Sequence, residues 1–156
     1  MKGDKKIIDI LNEVLTAELT SVNQYFVDSK MLGNWGYGIL AKHYYDESID
    51  EMKDADELIE RILYLEGVPN LQRLGTVRVG ETVPEKIQLA LALEKESIER
   101  LNRGIAQCVA AGDNGTRDLL EDVLEGEEEH ADWLETQLAL LQQLGDAHYL
   151  AQQLRD

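Results

Sequence analysis

Proline is almost missing from this chain: among 156 residues it occurs only at positions 69 and 84. Proline removes a helix hydrogen bond and clashes with the preceding turn, so outside that short interval nothing prevents helices from running long. There is a single cysteine, Cys108, which cannot close an internal disulfide, and a reducing, cytoplasmic setting is expected. Basic residues are scarce as well. Against 31 Asp and Glu stand 15 Lys and Arg, a formal net charge of -16, which argues against nucleic acid or an anionic membrane as a partner and suits a protein that gathers cations. No apolar run approaches the roughly 18 to 20 residues of a membrane span. The start, M-K-G-D-K-K-I-I-D-I-L-N-E, breaks its apolar residues with charge where a signal peptide would have an uninterrupted core. By length, one domain over 1–156 is expected, large enough to bury a core without staples.

What is present is helical periodicity. The spacing of apolar residues predicts helices at about 5 to 33, 36 to 65, 83 to 111 and 114 to 144, and a short fifth from about 147 to 154. The fold class is therefore all-α, a four-helix bundle with a short C-terminal helix. Glycine-bearing stretches punctuate it at L-G-N-W-G (32–36), A-G-D-N-G (111–115) and Q-L-G-D (143–146). Between the second and third helices, both prolines, three glycines and a T-V-R-V alternation exclude a helix but allow a long extended crossover. Such a crossover would make helices two and three parallel.

Every seventh residue stays nearly on one helix face. Read that way, the helices give Leu11, Glu18, Tyr25; Tyr44, Glu51, Leu58, Leu65; Ile87, Glu94, Leu101, Cys108; and Leu120, Glu127, Leu134, Leu141. Each helix sets one glutamate in an apolar seam. Glu18 and Glu51 are 33 residues apart, as are Glu94 and Glu127, and both midpoints fall in or beside glycine turns, so in antiparallel hairpins each pair meets at one height. One such glutamate could be a seam residue snorkelling to water. Four at mid-helix with no lysine or arginine in the seams would protonate or unfold the bundle, unless a multivalent cation offsets their charge. His130 lies three residues after Glu127, on the same face. By itself Glu-x-x-His is weak evidence in so acidic a helix. It strengthens beside Glu18 and Glu94, because di-metal carboxylate bundles combine a glutamate from each of two helices with Glu-x-x-His from the others. Oxygen donors with imidazole favour iron or manganese over metals that seek sulfur.

Met52 points about 100° away from Glu51 around its helix, on a second apolar stripe with Tyr45 and Ile59, flanked by Ile49 and Leu63. A helix apolar on two faces has two partners, its own bundle and another subunit. Periodicity alone makes Met52 an adaptable packing residue at such an interface.

Taken together, N-Q-Y-F (23–26), E-S-I-D-E-M (47–52), E-R-I-L-Y-L-E-G-V-P-N-L-Q (60–72) and E-E-E-H-A-D-W-L-E-T-Q-L (127–138) resemble the bacterioferritins along the whole chain. The resemblance implies a ferritin-like bundle and iron storage with ferroxidase activity, Fe²⁺ being oxidised by O₂ or peroxide. It places two irons per subunit on Glu18, Glu51, Glu94, Glu127 and His130. The sixth family ligand is a histidine in E-M-x-H, and here that position is Asp54. Aspartate has similar reach and either binds iron or turns to water, Lys53 or Arg61. The resemblance further implies that Met52 and its twofold mate ligate a b-type haem shared between two subunits, in a pocket for which Leu19, Asn23, Phe26, Met31 and Tyr45 are available. It implies a homo-oligomeric shell of about 24 subunits built from twofold dimers, with a second ferritin subunit type and a small ferredoxin as candidate partners. Two other outcomes remain open: a haem-bearing subunit whose oxidase activity is impaired by Asp54, and a non-catalytic structural bundle with a protonated acidic seam. Tyr25 and Trp133 are candidates to hydrogen-bond a ligand or pass an electron, though each serves equally as core. Asp46 and Asp50 resemble an inner-surface iron site, or a solvated helix face.

Overall fold

A computed structural model describes residues 1–155. Among these residues there are five helices and no strand: α1 (Lys5–Asn34), α2 (Gly38–Tyr64), α3 (Val83–Ala111), α4 (Asn114–Leu144) and α5 (Asp146–Ala151).

The helix ends follow from local chemistry. Asp4 opens α1 by accepting the Lys6 N–H at 2.8 Å. Thr82 caps α3 through the Glu85 N–H at 3.2 Å, with Pro84 in the first turn, where its missing N–H costs nothing. Asp113 starts α4 by accepting the Thr116 N–H at 3.0 Å, and also takes the Arg61 guanidinium at 2.9 Å from the end of α2. That ion pair ties the two hairpins together. Gly112 ends α3 with φ +69, in the left-handed region that favours glycine. Two boundaries differ from the periodicity. The α1–α2 turn is wider, because the Tyr37 N–H reaches back to the Leu32 carbonyl at 2.9 Å around Gly36, and α2 starts only at Gly38. The fifth helix stops at Ala151 instead of about 154, since the Gln153 carbonyl accepts the Ile39 N–H at 3.2 Å and the chain leaves the helix to meet the start of α2.

The crossover runs along α1 in α1's own direction, held by polar side chains of that helix. Asn12 Oδ1 accepts the Asn70 N–H (2.8 Å), Thr20 Oγ1 the Gly75 N–H (2.8 Å) and Gln24 Oε1 the Arg78 N–H (3.1 Å). These bonds satisfy backbone groups that the T-V-R-V stretch would otherwise seek in a neighbouring strand. The chain is thereby carried back to the far end of the bundle. From there α3 descends alongside α1, with Lys86 meeting Asp28, Tyr25 meeting Glu94 and Ile10 approaching Gly104. Helices α2 and α3 are therefore parallel, as the crossover requires.

The core has two apolar clusters. One holds Leu11, Leu58, Leu101 and Leu120, and the other Tyr25, Tyr44, Ile87 and Leu134. Glu18, Glu51, Glu94 and Glu127 each lie one heptad from a member of both, so the four glutamates form a polar layer between two dry ones. A second buried charge sits at the far end. Lys86 and Asp28, 0 % and 1 % exposed, pair at 2.8 Å, with the Lys86 ammonium also 3.3 Å from Met31 Sδ and over the Trp35 ring.

Candidate metal centre

All four seam glutamates are buried, with exposures of 1 % (Glu18), 3 % (Glu51), 0 % (Glu94) and 2 % (Glu127), and His130 is 3 % exposed. Four helices deliver them, and the heptad register explains why they share one level. Carboxylate oxygens of Glu18, Glu51, Asp54 and Glu127 lie within 4.8 Å of one another. Glu94 joins from the other side: its Oε1 faces His130 Nδ1 at 3.1 Å and accepts the Tyr25 hydroxyl. The structure thus gathers all six residues singled out for metal binding. Asp54 is half-buried and faces the cluster. Among the described residues it makes no ion pair, and Arg61, one of its possible partners, is committed to Asp113.

The electrostatics are those of a site short of positive charge. Burial, and after it Asp54, drives Glu18 well above the ordinary carboxylate range, while burial and then Glu18 do the same to Glu127. Asp54 is pushed up to about 7 by burial and then by Glu57 and Asp50. Glu94 is the exception. Burial raises it, but hydrogen bonds with Glu127, His130 and Tyr25 outweigh this and hold it below the usual value. In addition, the Oε2 atoms of Glu18, Glu51, Glu94 and Glu127 are buried without a hydrogen-bond partner. An orphaned buried acceptor costs roughly 1–3 kcal/mol. Several converging on one layer fit a bound cation, and the oxygen-rich donor set with one imidazole fits iron.

Tyr25 touches the centre through Glu94 and stacks on Tyr44 at 5.7 Å. Trp133 instead lies flat on His43, ring centroids 3.5 Å apart. His43 and Glu47 were not among the expected site residues, yet His43, Glu47 and His130 bring ligand atoms within 4.8 Å of one another beside the carboxylate cluster. Burial, then His130, lowers His43 to about 3, and burial raises Glu47 to about 7. The available signal was the four-residue spacing from His43 through Glu47 to Glu51, which puts all three on one helix face. Asp46 is exposed and paired with Lys42 at 2.7 Å, while Asp50 lines the cavity beside Glu47.

Met52 faces outward and is 48 % exposed, amid exposed Phe26, Tyr45 and Ile49. It borders an apolar groove of about 480 Å³ that also involves Leu19, Ile59 and Leu71. Contiguous apolar surface of this kind marks an interaction site. Of the residues available to line a haem pocket, Met31 has its sulfur drawn toward Lys86, and the Asn23 amide donates to the Leu19 carbonyl. Among the described residues no helix is long and apolar enough to cross a membrane.

A four-helix bundle with this long crossover and a buried carboxylate layer from all four helices defines a ferritin-like protein, and residues 8–144 match the ferritin family, described as a ferritin-like domain. The chain is 48 % identical over 152 residues to the bacterioferritin of Mycobacterium bovis, covering 97 % of this chain and 96 % of that one. It is 49 % identical over 152 residues to the bacterioferritin of Mycobacterium leprae, with the same coverage, and 48 % over 151 residues to that of Streptomyces coelicolor, covering 97 % and 90 %. The chain belongs to the bacterioferritin family, and so to the iron-storage proteins.

Proposed function

We propose that the carboxylate layer is a ferroxidase centre, at which two Fe²⁺ per subunit bind, give up one electron each to O₂ or peroxide, and leave as Fe³⁺ for mineral storage. The observation that carries this is the convergence of buried, unpartnered carboxylate oxygens from four helices on one level. Glu18, Glu51, Asp54 and Glu127, whose oxygens converge, would hold one iron, and Glu94 with His130 would hold the other. The half-buried position of Asp54 within 4.8 Å of Glu18, Glu51 and Glu127 favours its acting as a ligand. With Asp54 in place of histidine the site carries five carboxylates and one imidazole, a set that favours Fe³⁺ over Fe²⁺ and slows release of the product.

The exposed apolar face around Met52 supports a twofold interface, and Met52 near such an axis would meet its own mate. A b-type haem held between the two sulfurs would supply one-electron redox capacity for reducing stored iron. The assembly we infer is a cytoplasmic homo-oligomeric shell of about 24 subunits, whose net charge of -16 per chain draws cations inward. A small ferredoxin is a candidate electron donor, and a second ferritin subunit type a candidate for co-assembly.

Anaerobic addition of Fe²⁺ followed by O₂ tests the central reading. Two ferrous ions bound per subunit and a rapid oxidation burst are expected, with both lost in Glu94→Ala. Weak or single binding would favour a haem-bearing subunit with impaired oxidase activity. No binding would favour a structural bundle.

A further inference from the structure

Beside the carboxylate layer lies a smaller group with different donors. His43 and Glu47 sit one helical turn apart on α2, and His130 reaches them from α4. Their ligand atoms are within 4.8 Å of one another, and Glu47 Oε2 is 3.5 Å from His130 Nδ1. Trp133 lies flat on the His43 ring at 12°, which fixes the imidazole plane while leaving its edge free. That edge carries Nε2, which is buried and has no hydrogen-bond partner, and Nε2 of His130 is in the same condition. An unpartnered buried nitrogen costs roughly 1–3 kcal/mol, a cost that a bound cation would remove. Metal–ligand bonds of about 2.1 Å at tetrahedral angles would set ligand atoms roughly 3.4 Å apart, a spacing that Glu47 and His130 already have. Two imidazoles with one carboxylate suit borderline divalent cations such as Fe²⁺, Zn²⁺ or Co²⁺.

The position is as informative as the donors. One half-open cavity of about 280 Å³ is lined by His43, Glu47 and Asp50 together with Glu51, Asp54 and Glu127. Asp50 and Glu129 are exposed at its rim, and half-buried His43, Glu47 and Asp54 lie below them, so the two groups of donors share one approach from solvent.

We propose that His43 and Glu47, backed by His130, form a separate divalent-cation site beside the carboxylate centre in the same cavity, a staging position for ferrous iron entering or leaving it. The staging role rests on the ferroxidase reading, whereas the existence of the site does not. Zn²⁺ is the probe, because it occupies nitrogen and oxygen sites without changing oxidation state. In crystals soaked with Zn²⁺ and measured at the zinc edge, an anomalous peak between His43 and Glu47 is expected, distinct from those among the glutamates. His43→Phe keeps an aromatic ring on Trp133 but offers no nitrogen. It should lose that peak, and about one Zn²⁺ per subunit in equilibrium dialysis at micromolar metal, while the inner peaks persist. Glu47→Gln should weaken the outer site at least about tenfold. A wild-type map with zinc among the glutamates but only water at His43, or equal stoichiometry in wild type and His43→Phe, would overturn the proposal and leave the ferroxidase reading intact. An outer peak with an empty glutamate layer would support this site and count against that reading.

Discussion

The apo-protein should lose stability as pH rises from 5 to 7, opposite to the trend expected when carboxylates are stabilised by folding. Asp54 moves from an ordinary 3.8 to about 7, and Glu47 from 4.5 to about 7. Each group raised in the folded state adds stability that is complete below its unfolded value and is lost as pH climbs through its folded value. For these two the window is therefore about pH 4 to 7. Each tenfold in proton affinity is worth about 1.4 kcal/mol, so together they could contribute about 5 kcal/mol between pH 5 and 7, a ceiling that partial exposure reduces to roughly half. Glu18 and Glu127 act in the same direction. His43 opposes them: lowered from 6.5 to about 3, it favours folding more as pH rises and offsets about 1 kcal/mol after the same reduction. Glu94 and Asp113, both depressed, act only below the ordinary carboxylate range, outside this window. The net loss from these three groups is about 1.5 kcal/mol, or roughly 3–6 °C in thermal midpoint for a chain of this length, and Glu18 and Glu127 add to it. The assay is thermal unfolding at fixed protomer concentration, across pH 5 to 7, in chelator and in saturating Zn²⁺. Zinc should abolish or reverse the slope, since its ligands must be deprotonated to bind. A chelated protein whose midpoint is flat or rising over this range would refute the reasoning, because the layer would then not be starved of positive charge.

Substitutions at three places in the fold probe the remaining parts. Asp54→Ala should weaken metal binding and slow the initial oxidation of Fe²⁺ at least about tenfold, and equal stoichiometry and initial rate in the two proteins would show Asp54 to be no ligand. Met52→Leu, nearly volume-conserving, should yield an assembled shell without haem at a stability cost below about 1.5 kcal/mol; unchanged haem absorbance would remove Met52 from that role. Lys86→Met leaves Asp28 buried and unpaired and should cost about 3–5 kcal/mol, while Asp28→Leu combined with Lys86→Met should recover most of it. A single variant as stable as wild type in denaturant melts would contradict the buried pairing.

The sequence disclosed whatever depends on periodicity. The seam glutamates and their equal spacing could be counted along the chain, and the outward stripe of Met52 followed from its angle to Glu51. The bundle was legible because two prolines and three glycines isolate the crossover. Features that need a partner from elsewhere were not legible. His43 and Glu47 look like part of a solvated acidic face until Trp133 and His130 arrive from α4. Lys86 and Asp28 are 58 residues apart, and nothing in either local pattern announces a buried charge. The orientation of Asp54 was open because Arg61 was available two turns further on the same helix face. Only the fold shows Arg61 drawn away to Asp113 and Thr116.

The central claim is that the buried carboxylate layer holds two irons, and diffraction from crystals soaked anaerobically in Fe²⁺, recorded on both sides of the iron absorption edge, tests it most directly. Two anomalous peaks per subunit are predicted between Glu18, Glu51, Glu94 and Glu127, one within bonding distance of an Asp54 oxygen and the other of His130 Nδ1. Iron confined to the protein surface, with the four glutamates surrounding only water, would contradict it.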